Sequence, residues 1–319
     1  MDRLPVLTPR QYQRVALFAL GSLVLIVFTG AAVRLTGSGL GCPDWPKCYG
    51  RVVAPVELHA LIEYGNRLLT GVVGAAVIAA SLLAFRRRPF RRHLAILGGL
   101  LPLGVVAQAA LGAAVVASHL RPELVMLHFI LSMALIDAAF ALGWLSRYEP
   151  GERGRSGDRG GVWAVRGLVG FGQLTIILGT MSTAAGPHPG DHQGELVQRF
   201  DFRGAETLEW LVQRHSVAAS MFGLAAVGTW LLLRRDGGDD RAVRPLTALI
   251  ALLGLQGAVG GVQWLAELPA EIVWVHIVLA TLSWIAMLWA VATAGRIEPV
   301  TVAAKTAPIG GVPDPRSGR

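Results

Sequence analysis

Three histidines lie inside or at the edge of long apolar stretches: His128, His215 and His276. A polar ring in hydrocarbon is costly, so each one needs a partner or a function. A neutral imidazole in a helical bundle suits two roles. It can be a packed, hydrogen-bonded side chain, or it can be an axial ligand to haem iron. Repetition favours ligation. Gln108 and His128 are 20 positions apart, and so are Gln256 and His276, and "QAALGAAVVASHLRPELVMLH" parallels "QGAVGGVQWLAELPAEIVWVH". A second polar group comprises His59, Glu63, Asn66 and Arg67. Their i, i+4, i+7, i+8 spacing puts all four on one helical face. Glu63 beside Arg67 reads either as an ion pair at the lipid–water boundary or as a proton-handling carboxyl in a buried redox site. Cys42 and Cys48 are the only cysteines, and the segment between them holds two prolines that favour a compact turn. In an oxidising compartment they pair; otherwise they are two free thiols.

The remaining polar residues carry weaker signals. Asp137 falls in the middle of an apolar run and is expected to face the protein interior, without an assignable role. His188 and His192, in "GPHPGDHQG", form a weak metal-binding pattern in a Gly/Pro loop. His119 reads as a loop residue beside Arg121, and His93 as a solvated residue after an Arg run.

These residues must be positioned by the apolar runs. The chain is 53% hydrophobic and only 16% charged, where a soluble domain carries about a quarter charged residues. Mean hydropathy is +0.52. Residues 15–33, 68–85, 94–118, 124–146, 167–186, 215–233, 245–266 and 272–294 form runs with few or no charges. Each approaches the roughly 20 residues a helix needs to cross a bilayer. They lack the alternation of barrel strands. The first run follows Arg3, Arg10 and Arg14 and has features of a signal peptide, but its length and the even helix count favour a retained span.

A net charge of +8 would suit nucleic acid, but the placement of arginine argues otherwise. Arg86, Arg87, Arg88, Arg91 and Arg92, then Arg147, Arg153, Arg155 and Arg159, then Arg234, Arg235, Arg241 and Arg244 cluster in alternate loops. That is the positive-inside pattern, which predicts cytoplasmic termini and no nucleic-acid partner. The cysteines then lie on the outer side. All three histidines fall in the outer half of the membrane, on helices running inward.

The halves match at an offset of 148 to 149 residues. Gly30 and Gly37 correspond to Gly179 and Gly186, Asn66 to His215, and Gly74 to Gly223. The expectation is an all-α integral membrane protein of eight transmembrane helices in two pseudo-repeated four-helix bundles. Residues 1–146 form the first bundle, 147–162 a cytoplasmic linker, 163–294 the second bundle and 295–319 a flexible cytoplasmic tail.

"TGAAVRLTGSGLGCPDWPKCYG" followed by "HALIEYGNRLLTGVVG" closely resembles haem A synthase, and the matched histidines agree over roughly residues 15–294. The resemblance implies an oxidoreductase of the cell membrane. It would oxidise a ring methyl of haem O to a formyl group, making haem A for terminal cytochrome oxidase. It implies a haem b cofactor held by His215 and His276 in the C-terminal half. The N-terminal half would be catalytic, with His128 as ligand to the substrate haem, Glu63 as the essential carboxylate, Asn66 and Arg67 near that haem, and Cys42 and Cys48 as the first-loop pair. The implied partners are haem O and haem A, membrane lipid, a haem O-forming farnesyltransferase and the cytochrome oxidase assembly machinery. The sequence departs from the family at E-x-x-H-R, where Asn66 replaces the second histidine. This leaves the substrate iron with His128 alone, or with His59 as a substitute. The third outer loop also lacks cysteines. Two rivals are a di-haem b-type electron-transfer cytochrome, disfavoured by Asn66, and a parallel-repeat transporter, disfavoured by the lack of paired helix breaks.

Overall fold

A computed structural model describes residues 6–147, 158–192, 197–235 and 241–295. Most of the expected linker and nearly all of the expected tail lie outside these residues. Among the described residues there is no strand, and eight helices are long and apolar enough to cross a membrane. They are α1 (Pro9–Leu35), α2 (Leu58–Ala84), α3 (Arg92–Ala117), α4 (Pro122–Arg147), α5 (Arg159–Ala185), α6 (Thr207–Arg235), α7 (Val243–Leu265) and α8 (Ala270–Thr293). Each apolar run lies on its own helix, give or take a residue at its end. Several helices begin well before the run, because polar first turns can be capped or solvated outside hydrocarbon. At α1, Thr8 and Gln11 form a reciprocal capping box with Pro9 just inside. At α5, the Asp158 carboxylate accepts from the Gly161 N–H. Pro102 sits within α3, as proline does in membrane helices whose neighbours resatisfy the backbone.

Packing produces two closed rings. α1 packs on α2, α2 on α3, α3 on α4, and α4 back on α1; α5 through α8 close in the same way. The rings meet through α1, α4, α5 and α8. Small residues on α1, α2 and α4 (Ala16, Ala19, Ala76, Ala80 and Ala139) let backbones approach closely. Tyr12 is wholly buried among them, and its hydroxyl donates to the Ala80 carbonyl at 3.0 Å. Large apolar side chains such as Phe18, Leu82, Leu103, Val106 and Leu224 point outward. On a water-soluble protein such continuous apolar exposure would be a liability, whereas in lipid it is the solvated surface.

The two ends of the bundle differ. At one end the Leu7 N–H donates to the Arg86 carbonyl and the Arg88 N–H to the Leu7 carbonyl. The Arg91 guanidinium caps α4 at the Leu145 carbonyl. The other end gathers the α1–α2, α5–α6 and α7–α8 loops, where the Gly39 N–H donates to the Gly190 carbonyl at 2.7 Å and His188 Nε2 to the Leu268 carbonyl at 2.7 Å. His128 and His276 sit about two turns in from this second end, so the histidines share one depth.

Candidate functional site

His215 on α6 and His276 on α8 face each other with ring centroids 6.2 Å apart. His215 Nδ1–H donates to the Thr175 carbonyl of α5 at 3.0 Å. A carbonyl can only accept, so this bond fixes the tautomer and leaves the Nε2 lone pair free. Glycines make room for both rings. A Cβ on Gly179 would lie 2.9 Å from His215 Cε1, and one on Gly260 would lie 3.1 Å from His276 Cε1. Gln256 Nε2 holds the His276 carbonyl at 3.0 Å, while His276 Nδ1 is buried without a hydrogen-bond partner among the described residues. An imidazole bound to a metal ion at about 2 Å has its centre about 3 Å from the ion, so two on opposite sides stand about 6 Å apart. The observed spacing fits a bis-imidazole haem site.

The N-terminal half repeats the Gln–His contact and differs around it. Gln108 Nε2 donates to the His128 carbonyl at 3.0 Å and to Ser132 Oγ at 2.6 Å. Among the described residues His128 Nδ1 is buried without a hydrogen-bond partner, and a Gly112 Cβ would lie 3.6 Å from the ring. Where α6 presents His215, α2 presents Asn66. Its Oδ1 accepts from the Thr29 hydroxyl at 2.7 Å.

Above this half sits the first loop. Cys42 and Cys48 form a disulfide with Cα atoms 4.7 Å apart, both fully buried. Glu63 and Arg67 of α2 hold the loop down. Glu63 Oε2 accepts from the Cys42 N–H at 2.7 Å, and Glu63 Oε1 pairs with Arg67 at 2.5 Å. Arg67 also donates to the carbonyls of Cys42, Asp44 and Lys47. Cys48 and Arg51 exchange backbone hydrogen bonds around Tyr49 and Gly50, which have φ of 54° and 70°. This tight turn needs positive φ at both central positions, which glycine tolerates and tyrosine resists. Asp44 supports it by accepting from Tyr49 N at 2.6 Å and Gly50 N at 2.8 Å. The Gly50 N–H foremost, with those of Tyr49 and Asp44 itself and the nearby Arg67 charge, holds the Asp44 carboxyl below its ordinary range. In the α5–α6 loop, the Thr207 hydroxyl and then backbone N–H groups do the same for Asp201.

A family model described as cytochrome oxidase assembly protein (COX15-CtaA) matches residues 13–60 and 56–288. The chain belongs to this family. It is similar to the heme A synthase of Lysinibacillus sphaericus, 35% identical over 133 residues, which is 41% of this chain and 43% of that one. The heme A synthase of Geobacillus kaustophilus is 37% identical over 106 residues, 33% of either chain. The protoheme IX farnesyltransferase of Thermus thermophilus is 28% identical over 301 residues, covering 86% of this chain and 47% of that one. The chain spans less than half the length of these curated relatives. Their similarity and the eight apolar helices make it a multi-pass membrane member of the cytochrome oxidase assembly protein family.

Within this family member, the predicted residues separate into three places. His215 and His276 come together. His128 and Asn66 sit in the matching frame of the other ring. Glu63, Arg67, Cys42 and Cys48 form the loop clamp. His59 is elsewhere: its Nδ1 bonds Ser38 Oγ at 2.9 Å and its ring stacks on His192 at 4.6 Å, between the α1–α2 and α5–α6 loops. His188 and His192 have separate partners. Among the described residues no group of three or more His, Cys, Asp or Glu is placed to hold a metal ion. Sequence reading missed Thr29 and Thr175, whose partners lie far along the chain. It also missed Arg34, which binds the His188 and Thr183 carbonyls at 3.0 and 2.9 Å. Asp137 gains a partner, accepting from Trp284 Nε1 at 2.6 Å.

Proposed function

We propose that this chain is a haem A synthase, an oxidoreductase that converts the ring methyl of haem O to a formyl group. The observation that carries the reading is the unequal pair of imidazole frames in a cytochrome oxidase assembly protein. One frame offers two histidines at the spacing of a haem iron; the other offers one histidine and an amide. The first would hold a haem b between His215 and His276, which when bound supplies one-electron transfer. The second would take haem O as substrate, with His128 on the iron and Asn66 and Arg67 nearby. Two successive hydroxylations would each insert one atom of O2 into a methyl C–H bond. Each would use two electrons and two protons to reduce the other atom to water. The resulting hydrated aldehyde loses water to give the formyl group.

Glu63 is the proposed proton-handling residue. It is buried, lies one turn from Asn66, and has its carboxylate between the Cys42 amide and Arg67. Proton exchange at Glu63 is therefore tied to the first loop. In this reading residues 1–146 are the catalytic half and 163–294 the haem b half. The Arg-rich end and both termini face the cytoplasm of the cell membrane, so the disulfide lies outside. The farnesyltransferase relative supports a link to an enzyme that makes haem O, because most of this chain aligns with less than half of that longer protein.

The test is expression in cells that make haem O but lack haem A, followed by haem extraction and chromatography. Haem A or its hydroxylated precursor is expected. Haem b alone would overturn the reading in favour of a cytochrome. Glu63→Gln keeps an acceptor for the Cys42 N–H but cannot exchange a carboxyl proton. It is expected to retain haem and lose haem A. Undiminished haem A output would reduce Glu63 to a structural clamp.

A further inference from the structure

We propose that Asn66 is a hydrogen-bond donor to a small ligand, of the class of O2 or CO, at an open axial position opposite His128. The proposal rests on the reading that the N-terminal half binds haem through His128. It goes beyond that reading by giving the departure at Asn66 a chemical task.

Three observations carry it. The first is space. In the C-terminal half the His215 ring fills the ground beside Gly179, with three ring atoms between 2.9 and 3.6 Å of where a Cβ would stand. In the N-terminal half the matching Gly30 is also bare, yet its nearest neighbour is Asn66 Nδ2 at 4.0 Å. The amide stops short of room that an imidazole occupies in the other ring. The second is orientation. The Thr29 hydroxyl has one proton and three acceptors within reach: Asn66 Oδ1 at 2.7 Å, and the Leu25 and Ile26 carbonyls at 3.3 Å each. The shortest contact takes the proton. This commits the amide oxygen to Thr29 and turns Nδ2, the donor end, toward Gly30. The third is chemistry. An amide nitrogen cannot ligate iron, but its N–H groups can stabilise negative charge on a ligand's oxygen. Asn66 Nδ2 has no acceptor among the described residues, so its donors are available. An iron with one histidine and a nearby donor binds and polarises oxygen, whereas a bis-histidine iron only passes electrons. Thr29 is the positioning residue in this arrangement, acting through Asn66.

Carbon monoxide is the probe, used on the membrane protein purified with its haem. Difference spectra and the infrared C–O stretch of the reduced protein are recorded for the native chain and for Asn66→His, Asn66→Leu and His128→Ala. The native protein is expected to bind CO through a haem that His128→Ala removes. Asn66→His should abolish CO binding and add a second low-spin bis-imidazole signal. Asn66→Leu should still bind CO, with the stretch moved to higher frequency and O2 affinity lowered about tenfold, the worth of one hydrogen bond to a charged acceptor. A CO stretch unchanged in Asn66→Leu would overturn the donor role while leaving the haem A reading intact. Failure of the native His128-dependent haem to bind CO would overturn the open position. Absence of any His128-dependent haem, with the His215–His276 haem still present, would overturn the underlying reading and the proposal with it.

Discussion

At the scale of single residues, the histidines are shaped by what stands beside them. An imidazole needs a neighbour without a side chain, a carbonyl to fix its tautomer, and nothing on its free nitrogen. His215 meets the first two requirements through Gly179 and the Thr175 carbonyl. The same glycine substitution should therefore have opposite outcomes in the two halves. A methyl on Gly179 would stand 2.9 Å from His215 Cε1, closer than real contacts allow, and a tight 3.1 Å from Nδ1, so the ring is expected to shift against the Thr175 carbonyl. If the proposed haem b is bound there, Gly179→Ala is expected to weaken or abolish its low-spin spectrum in the purified protein. Gly30→Ala meets only Asn66 Nδ2 at 4.0 Å, an ordinary contact, and should leave that spectrum unchanged. Equal effects from both substitutions would contradict the difference in free space. The histidines and the Asn66 departure were legible because a costly polar residue in an apolar run stands out, and because the two halves could be compared position by position. Thr175 was not legible, since it acts through its backbone carbonyl, which every residue possesses.

At the scale of elements, α2 and the first loop are one unit. The helix supplies Glu63 and Arg67, and the loop returns the Cys42 amide and three carbonyls to them. The sequence placed His59, Glu63, Asn66 and Arg67 on one face, but the structure sends them to different neighbours. His59 reaches the α5–α6 loop, Glu63 and Arg67 the disulfide loop, and Asn66 helix α1. Helical spacing reveals a shared face but not which loop folds over each turn of it. Asp44 gives the loop a pH dependence with a definite sign. Its carboxyl is held below the ordinary range when folded, first by the Gly50 N–H. The unfolded loop therefore binds a proton more readily. The stabilisation is fully present above the ordinary carboxylate range and is lost as pH falls through the depressed folded value. Hydrogen exchange at the Tyr49 and Gly50 amides should accelerate on acidification beyond the normal pH trend, and Asp44→Asn should remove that extra acid sensitivity. Parallel pH profiles for the native chain and Asp44→Asn would show that the charge does not hold the turn.

At the scale of the whole molecule, the question is what fixes one ring of helices against the other, since electrons must cross between them in the proposed reaction. Hydropathy located all eight helices, because each must be apolar along its length. It could not locate the side-chain hydrogen bonds between rings, which join residues 149, 246 and 147 positions apart and leave no periodic trace. Those contacts are spread through the depth of the membrane. Arg34 ties the end of α1 to the end of α5, Trp274 Nε1 of α8 donates to the Phe28 carbonyl of α1, and Trp284 Nε1 of α8 donates to Asp137 of α4. Asp137 is thus a cross-ring acceptor within lipid, where an indole N–H has no water to fall back on. Removing the acceptor alone should be worse than removing both partners. Asp137→Leu leaves Trp284 Nε1 unpaired and is expected to cost about 1 kcal/mol, the scale measured for buried hydrogen bonds between membrane helices. Asp137→Asn preserves an acceptor oxygen and should cost less. Adding Trp284→Phe to Asp137→Leu removes the orphaned donor, so the double variant should recover part of the loss. Thermal unfolding in detergent micelles measures the cycle, with the spectrum of the proposed His215–His276 haem as a check that this site is undisturbed. Strict additivity of the two substitutions would mean that the pair does not couple α4 to α8, leaving Arg34 and Trp274 to hold the rings together.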